Sequence, residues 1–333
     1  MPMIRQIASI IIVAMTVSGV AASQQSAAVA APAPWPSDRP GLVFDTRRNV
    51  TVLFGGGSGD RSNGTWEWSG SEWRERAGPG PSARNSHGMV FDSRRGQVVM
   101  FGGFAGASIM GDTWEFDGSV WEKKSDSGPA PRGAFGLAYD SARGVTVLFG
   151  GARDFGEPTL TDTWEWDGRT WKQVATTGPS GNSFLKMAYD ARRQRVVAFG
   201  GRGGGGDTWE WNGSASSKID AAGPPARDHH AMAYDSRRQR VVVFGGGKQL
   251  PNGKFPADTT GAWLRDLWAF EGERWAQLAT NGPPSRGGLP GLTYDSARDR
   301  LVLFGGGNLD GTWEWDGQQW RQVSDPPNRR GAP

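Results

Sequence analysis

Three histidines, His87, His229 and His230, and not one cysteine carry most of the side-chain chemistry open to this 333-residue chain. Without cysteine there can be no disulfide, no thiolate metal site, no cysteine nucleophile and no cofactor built on a cysteine side chain. Three histidines, two of them adjacent, match no metal-ligand spacing, so neither a metal nor a cofactor is expected. The run Arg227, Asp228, His229, His230 is more suggestive. It offers a base, an acid and a guanidinium within four residues, the kinds of group that proton transfer uses. Arg84 with His87 and Arg132 with Phe135 repeat part of that spacing. Arginines of this kind can take a carboxylate in two-pronged fashion, and an aromatic such as Trp263 can stack on a ligand. The candidate ligand-binding residues are therefore Trp263, Arg84, His87, Arg132, Arg227, His229 and His230. No catalytic residue is assigned.

The rest of the chain must position these groups. Gly (51) and Pro (21) are abundant, while 17 Trp and 15 Phe supply apolar mass for a core, which excludes collagen and plain disorder. The basic residues are 30 Arg and 7 Lys, interleaved with acids to a formal charge of only +3. No basic block points to a nucleic-acid partner. Residues 1–22 read as a secretory signal peptide: a positive start, an apolar run from Ile7 to Val17, and small residues at Val20 to Ala22. Residues 23–38 read as a flexible lead-in rich in Ala, Pro and Ser. The expected product is a soluble monomer, secreted or periplasmic, with no membrane contact after cleavage.

A repeat dominates residues 39–325. An aromatic-Asp pair recurs at Phe44, Phe91, Tyr139, Tyr189, Tyr234 and Tyr294, in steps of 47, 48, 50, 45 and 60 residues. Gly-Gly comes after each pair, then a Trp, then in five of six copies a second Trp seven residues on; the fourth copy has Ser216 instead. A period of this length means one supersecondary unit per repeat. Each unit reads as four strands. The second is a continuous apolar run such as Val98 to Phe101, and the third alternates, as in Thr163-Trp164-Glu165-Trp166. Asp167-Gly168 supplies a tight hairpin to the fourth.

An apolar strand ending in Gly-Gly, two spaced tryptophans and a Pro-x-x-Arg stretch (Pro81 to Arg84, Pro224 to Arg227) resemble the kelch repeat, and the resemblance covers residues 39–325. It implies an all-β fold, a six-bladed kelch-type β-propeller of four-stranded antiparallel blades. The blades would span approximately 39–84, 85–132, 133–182, 183–227, 228–286 and 287–325, with a tail at 326–333. Each repeat starts with its own first strand, so no swapped strand stands out to close the ring, and residues 24–36 are left as a segment that could pair with a blade. The resemblance also makes an Arg followed three residues later by His a repeated structural feature, which gives His87 and His230 a competing architectural reading. The repeated Glu residues are expected to meet an Arg between blades. The turn arginines and hairpin acids share one end and are expected to neutralise each other rather than bind a polyanion.

Two functions suit such a ring. The first is a binding module for a protein, peptide or glycan, acting through the end that carries the blade 5 insertion. There, 22 residues separate the second Gly from the Trp, against 7 to 13 elsewhere, and Trp263 is one of only two tryptophans outside the repeat. The second is a carbohydrate-active enzyme resembling the periplasmic sialic acid mutarotases, with His229, Asp228 and Arg227. The copper-radical chemistry of galactose oxidase is ruled out by the absence of cysteine. The sequence favours binding over catalysis, because no complete catalytic signature accompanies the fold.

Overall fold

A computed structural model describes residues 34, 38–57, 63–154, 159–180, 183–203, 205–248, 263–284, 288–306 and 311–324. The expected signal peptide, nearly all of the lead-in, most of the blade 5 insertion and the C-terminal tail lie outside the described residues. Those described form an all-β, six-bladed propeller with four-stranded antiparallel blades and no helix.

Blade 1 comprises β1 (Gly41–Asp45), β2 (Val50–Phe54), β3 (Thr65–Trp68) and β4 (Trp73–Arg76). Blade 2 comprises β5 (Gly88–Asp92), β6 (Gln97–Ala105), β7 (Ser108–Phe116) and β8 (Trp121–Ser125). In blade 3 the strands are β9 (Gly136–Asp140), β10 (Val145–Phe149), β11 (Thr163–Trp166) and β12 (Trp171–Ala175). In blade 4 they are β13 (Lys186–Asp190), β14 (Arg195–Phe199), β15 (Thr208–Trp211) and β16 (Ser216–Ile219). Blade 5 adds a short outlying strand, β17 (Arg227–Asp228), to β18 (Ala231–Asp235), β19 (Arg240–Lys248), β20 (Trp263–Phe270) and β21 (Trp275–Ala279). Blade 6 has β22 (Gly291–Asp295), β23 (Arg300–Phe304), β24 (Thr312–Trp315) and β25 (Trp320–Ser324). The first strands line the axis, and β22 lies against β1, so among the described residues the ring closes by packing, each blade's four main strands coming from one repeat.

The second strand of each blade is covered on both faces, which is why it reads as an unbroken apolar run. Val98, Val99, Met100 and Phe101 are fully enclosed. Between blades the tryptophans act as pegs. The second Trp of one blade donates its indole N–H to the Thr just before the first repeated Trp of the preceding blade's third strand: Trp121 to Thr65 (2.8 Å), Trp171 to Thr113 (2.8 Å) and Trp275 to Thr208 (3.0 Å). The companion indole donates to the Glu two residues further along: Trp68 to Glu314 (3.0 Å), Trp166 to Glu115 (3.0 Å) and Trp211 to Glu165 (3.4 Å).

Departures from the repeat leave these groups unmatched. Blade 5 has Leu267 and Ala269 where the Thr and Glu would stand, and the blade 6 indoles Trp315 and Trp320 have no hydrogen-bond partner. Blade 4 has Ser216 in place of the second Trp, and the Thr163 hydroxyl is unpartnered beside a small void.

The repeated Glu residues meet an arginine of their own blade, not of a neighbour, because the turn between the first two strands folds back over the third. Arg95 binds Asp92 (2.6 Å) and Glu115 (2.6 Å), Arg143 binds Asp140 and Glu165, Arg298 binds Asp295 and Glu314, and Arg48 with Glu67 and Arg193 with Glu210 obey the same rule. What these arginines do between blades is cover the neighbour's hairpin glycine: a Cβ on Gly118, whose φ is +100°, would lie 2.5 Å from Arg48 Nε. Only glycine fits both the backbone and the guanidinium. Arg48, Arg95, Arg143, Arg193 and Arg298 are thereby committed within the ring, while Arg47, Arg94, Arg192 and Arg237 in the same turns stay exposed.

Candidate functional site

The end of the ring bearing the blade connections is built, in five of the six blades, on one residue in the left-handed conformation two positions before the first strand. Arg39, Ser86, Ala134, Phe184 and His229 have φ between 56° and 60°. Their backbones are linked around the axis: Arg39 N–H donates to Leu289, Ser86 to Arg39, Ala134 to Ser86 and Phe184 to Ala134, at 2.7–3.1 Å. Non-glycine residues adopt this conformation rarely, so the surrounding hydrogen bonds must hold it. The reward is that these side chains converge on the axis. Ala134, Phe184 and Leu289 pack together and close this end of the ring.

His229 belongs to this belt. Its ring stacks on Phe184 (centroids 4.2 Å, 17° between planes) and meets the edge of Trp263 (6.2 Å, 87°). Its Nδ1 lies 2.6 Å from the fully buried Asp228 carboxylate, which fixes the ring's orientation. Two guanidinium groups lie over the Phe184 ring, Arg202 at 5.1 Å and Arg39 at 5.9 Å. Arg202 is 41% exposed and its Nε is 3.9 Å from Asp228. Arg39 pairs with Asp38 at 3.2 Å.

Trp263 lies in a strand, not in an irregular loop. Gly246 pairs with Leu264 and Gly247 with Trp263, while β17 pairs with the far end of β19. The hairpin therefore rises beyond the blade and carries the half-buried Trp263 to the rim beside His229. In the sequence Gly-Gly reads as the end of the second strand, but a bulge there lets the ladder continue.

The three arginines named from the sequence are placed elsewhere. Arg84, Arg132 and Arg227 are fully buried, and each grips an aspartate two residues before a repeated Trp with two nitrogens: Asp112 (2.6 and 3.1 Å), Asp162 (2.6 and 2.9 Å) and Asp266 (2.7 and 2.9 Å). Each also donates to a Gly-Gly carbonyl, of Gly102, Gly150 or Gly245, and each aspartate accepts an indole N–H at 2.7 Å from Trp114, Trp164 or Trp268. Burial opposes ionisation of Asp112 and Asp162, and the arginine and indole hydrogen bonds outweigh it, holding both below the ordinary carboxylate range. These guanidinium groups hold the loops of this face in place.

His87 and His230 occupy the position filled by Phe135 in blade 3, each wedged edge-on against a phenylalanine of the preceding blade, Phe54 and Phe199. Burial, and then the nearby charges of Arg84 and Lys186, hold the His87 imidazole at about 3, and burial with Arg227 and Lys186 depresses His230 likewise. Both rings are neutral at physiological pH.

Beneath the belt runs an axial cavity of about 380 Å³ lined by the six first strands. Lys186 lines it and is absent from the candidates that the sequence suggests. A signal is nonetheless present: Lys186 opens its strand where the other blades have Gly41, Gly88, Gly136, Ala231 and Gly291. A Cβ at Gly41 would lie 2.3 Å from the Met89 sulfur, so this position is ordinarily kept bare. Burial alone lowers the Lys186 amine to about 8.

Among the described residues no group of three His, Asp or Glu side chains could hold a metal ion. No protein-family model matches the chain, and no curated protein matches it either, so its function must be read from the geometry of this propeller.

Proposed function

We propose that the chain is an exported kelch-type propeller that recognises a protein, peptide or glycan at the end bearing the blade 5 hairpin. The observation that carries this reading is the cluster of Trp263, His229 and Phe184 at the rim, with Arg202 exposed beside it. An aromatic edge, an oriented imidazole and an accessible guanidinium suit a ligand with a carboxylate or several hydroxyls. Arg84, Arg132 and Arg227 contribute by fixing the loops that present these groups. A propeller is commonly an interaction scaffold, which agrees with this reading at the level of fold.

A glycan and peptide array screen of the mature chain tests it, followed by affinity and melting measurements on Trp263→Ala and Arg202→Ala. The expected result is a single class of hit, with affinity lost and the melting temperature nearly unchanged. Unchanged affinity with a lowered melting point would make Trp263 a cap on blade 5.

The second reading is an acid–base enzyme on sugars, favoured by the 2.6 Å Asp228–His229 contact, which could orient a general base. Proton NMR of a freshly dissolved sialic acid would show accelerated anomer exchange, slowed by His229→Ala. No acceleration over buffer removes it.

A further inference from the structure

We propose that the seam between blades 3 and 4 is a slot for a small planar aromatic molecule with one N–H donor, of which indole is the type. The site lies between two blades, apart from the rim cluster, and does not depend on the reading of that cluster.

The other five seams each hold an indole, and they hold it alike. The ring lies 4.9–5.3 Å from the phenylalanine that ends the preceding blade's second strand, as Trp171 does from Phe101. It also lies 5.0–5.7 Å from the companion aromatic of its own blade, as Trp171 does from Trp166. In four of the five the N–H reaches a threonine of the preceding blade, and in the fifth that threonine is Leu267. A glycine lets the ring in: a Cβ on Gly80, Gly128 or Gly223 would lie 2.4–3.1 Å from the indole Cδ1.

The seam between blades 3 and 4 keeps these walls and lacks the ring. Phe149 ends the second strand of blade 3, Trp211 is the companion aromatic of blade 4, and Ser216 faces Trp211 in the register in which Trp171 faces Trp166. Gly178 is retained although no indole meets it; a Cβ there would lie 2.4 Å from Phe149 Cε2. Thr163 is 2% exposed, and its hydroxyl has no hydrogen-bond partner among the described residues. A chiefly apolar crevice remains between Phe149, Thr163, Pro179, Trp211 and Ser216. As it stands its interior, at 20 Å³, has room for about one water, and its atom-free space is about 270 Å³ when the open side is counted. A planar ring entering from that side spreads the walls and regains the aromatic contacts present at the other five seams. Its N–H answers the Thr163 hydroxyl, which selects indole over a ring of the same shape without a donor.

The test uses indole, 1-methylindole and N-acetyltryptophanamide as probes, measured by isothermal titration calorimetry and melting temperature on the wild-type chain, Ser216→Trp and Thr163→Val. Indole should bind wild type at one site and raise its melting temperature, and Ser216→Trp, whose own ring fills the slot, should bind none. 1-Methylindole should bind wild type about three- to tenfold more weakly than indole, the loss of one neutral hydrogen bond. Thr163→Val should weaken indole to the same degree and leave 1-methylindole unchanged, a distinction that a general loosening of the seam would not produce. The comparison of indole with 1-methylindole on wild type stands even if both variants misfold. Absence of indole binding would leave the slot to water and overturn the proposal. So would undiminished binding by Ser216→Trp, equal affinity for 1-methylindole, or tighter binding of N-acetyltryptophanamide, which would make the occupant a side chain of a partner protein.

Discussion

Trp73 donates its indole N–H to Thr312 across 2.7 Å, a contact between the first blade and the last that spans 239 positions of sequence. It repeats the peg found between blades 1 and 2, 2 and 3, and 4 and 5, so the closing seam is built like those internal ones. Trp73→Ala should therefore destabilise the ring by about 3–5 kcal/mol, as for a large core aromatic. Trp171→Ala should do the same at the seam between blades 2 and 3. Chemical denaturation of the two variants compares the seams directly; a much smaller loss for Trp73 would mean that the ring does not depend on its closure.

Blade 4 invites repair. Ser216 stands opposite Trp211 as Trp171 stands opposite Trp166, and the Thr163 hydroxyl that an indole would meet is unpartnered. Ser216→Trp should stabilise the fold by about 1 kcal/mol, seen as a higher melting temperature. Ser216→Phe, which has no N–H to offer, should give less.

The buried arginines predict a paired effect. Arg132→Met should cost about 3–5 kcal/mol, because Asp162 is left charged and partly buried with only the Trp164 N–H. Adding Asp162→Asn should recover part of the loss. Urea denaturation of the single and double variants measures this, and additive losses would show that the two groups do not act as a pair.

His87 links stability to pH. Its folded value of about 3 lies below the 6.5 of an unfolded histidine, so the unfolded chain binds the proton first. Stability should fall as pH drops from about 6.5 towards 3, by about 2 kcal/mol from this residue at pH 5. His87→Phe, which copies Phe135, should flatten that part of the profile. Denaturation at pH 7.5 and pH 5 separates the two chains, and an unchanged difference would remove His87 from the acid response.

Lys186 has the opposite window. Its folded value of about 8 is below the ordinary 10.5, so the unfolded chain holds the extra proton between those values and stability should rise with pH across them. Lys186→Met should be the more stable chain at pH 7, with its advantage shrinking towards pH 10.5. Melting temperatures across this range are the measurement.

The propeller is legible in the sequence because its causes are local and repeated. Apolar second strands, alternating third strands and Asp-Gly hairpins each specify a strand or turn, and six copies agree. The site is less so. Arg84, Arg132 and Arg227 stand out as unmatched cations, yet their partners Asp112, Asp162 and Asp266 lie 28 to 39 residues on, a pairing visible only by setting the repeats side by side. Lys186 belongs to no reactive constellation of histidines and acids; its signal is a large charged residue where the other copies carry glycine or alanine. The continuation of the blade 5 ladder through Gly246 depends on a bulge that no pattern of side chains announces.

The belt of left-handed residues separates what is fixed from what can vary. Its backbone geometry is the same at Arg39, Ser86, Ala134, Phe184 and His229, although a guanidinium, a hydroxyl, a methyl, a phenyl and an imidazole hang from it. Since the frame is held by main-chain bonds, a place can be respelled while the frame keeps its shape. This end of the ring is thus a short alphabet written in a circle, its letters carried by one shared backbone script.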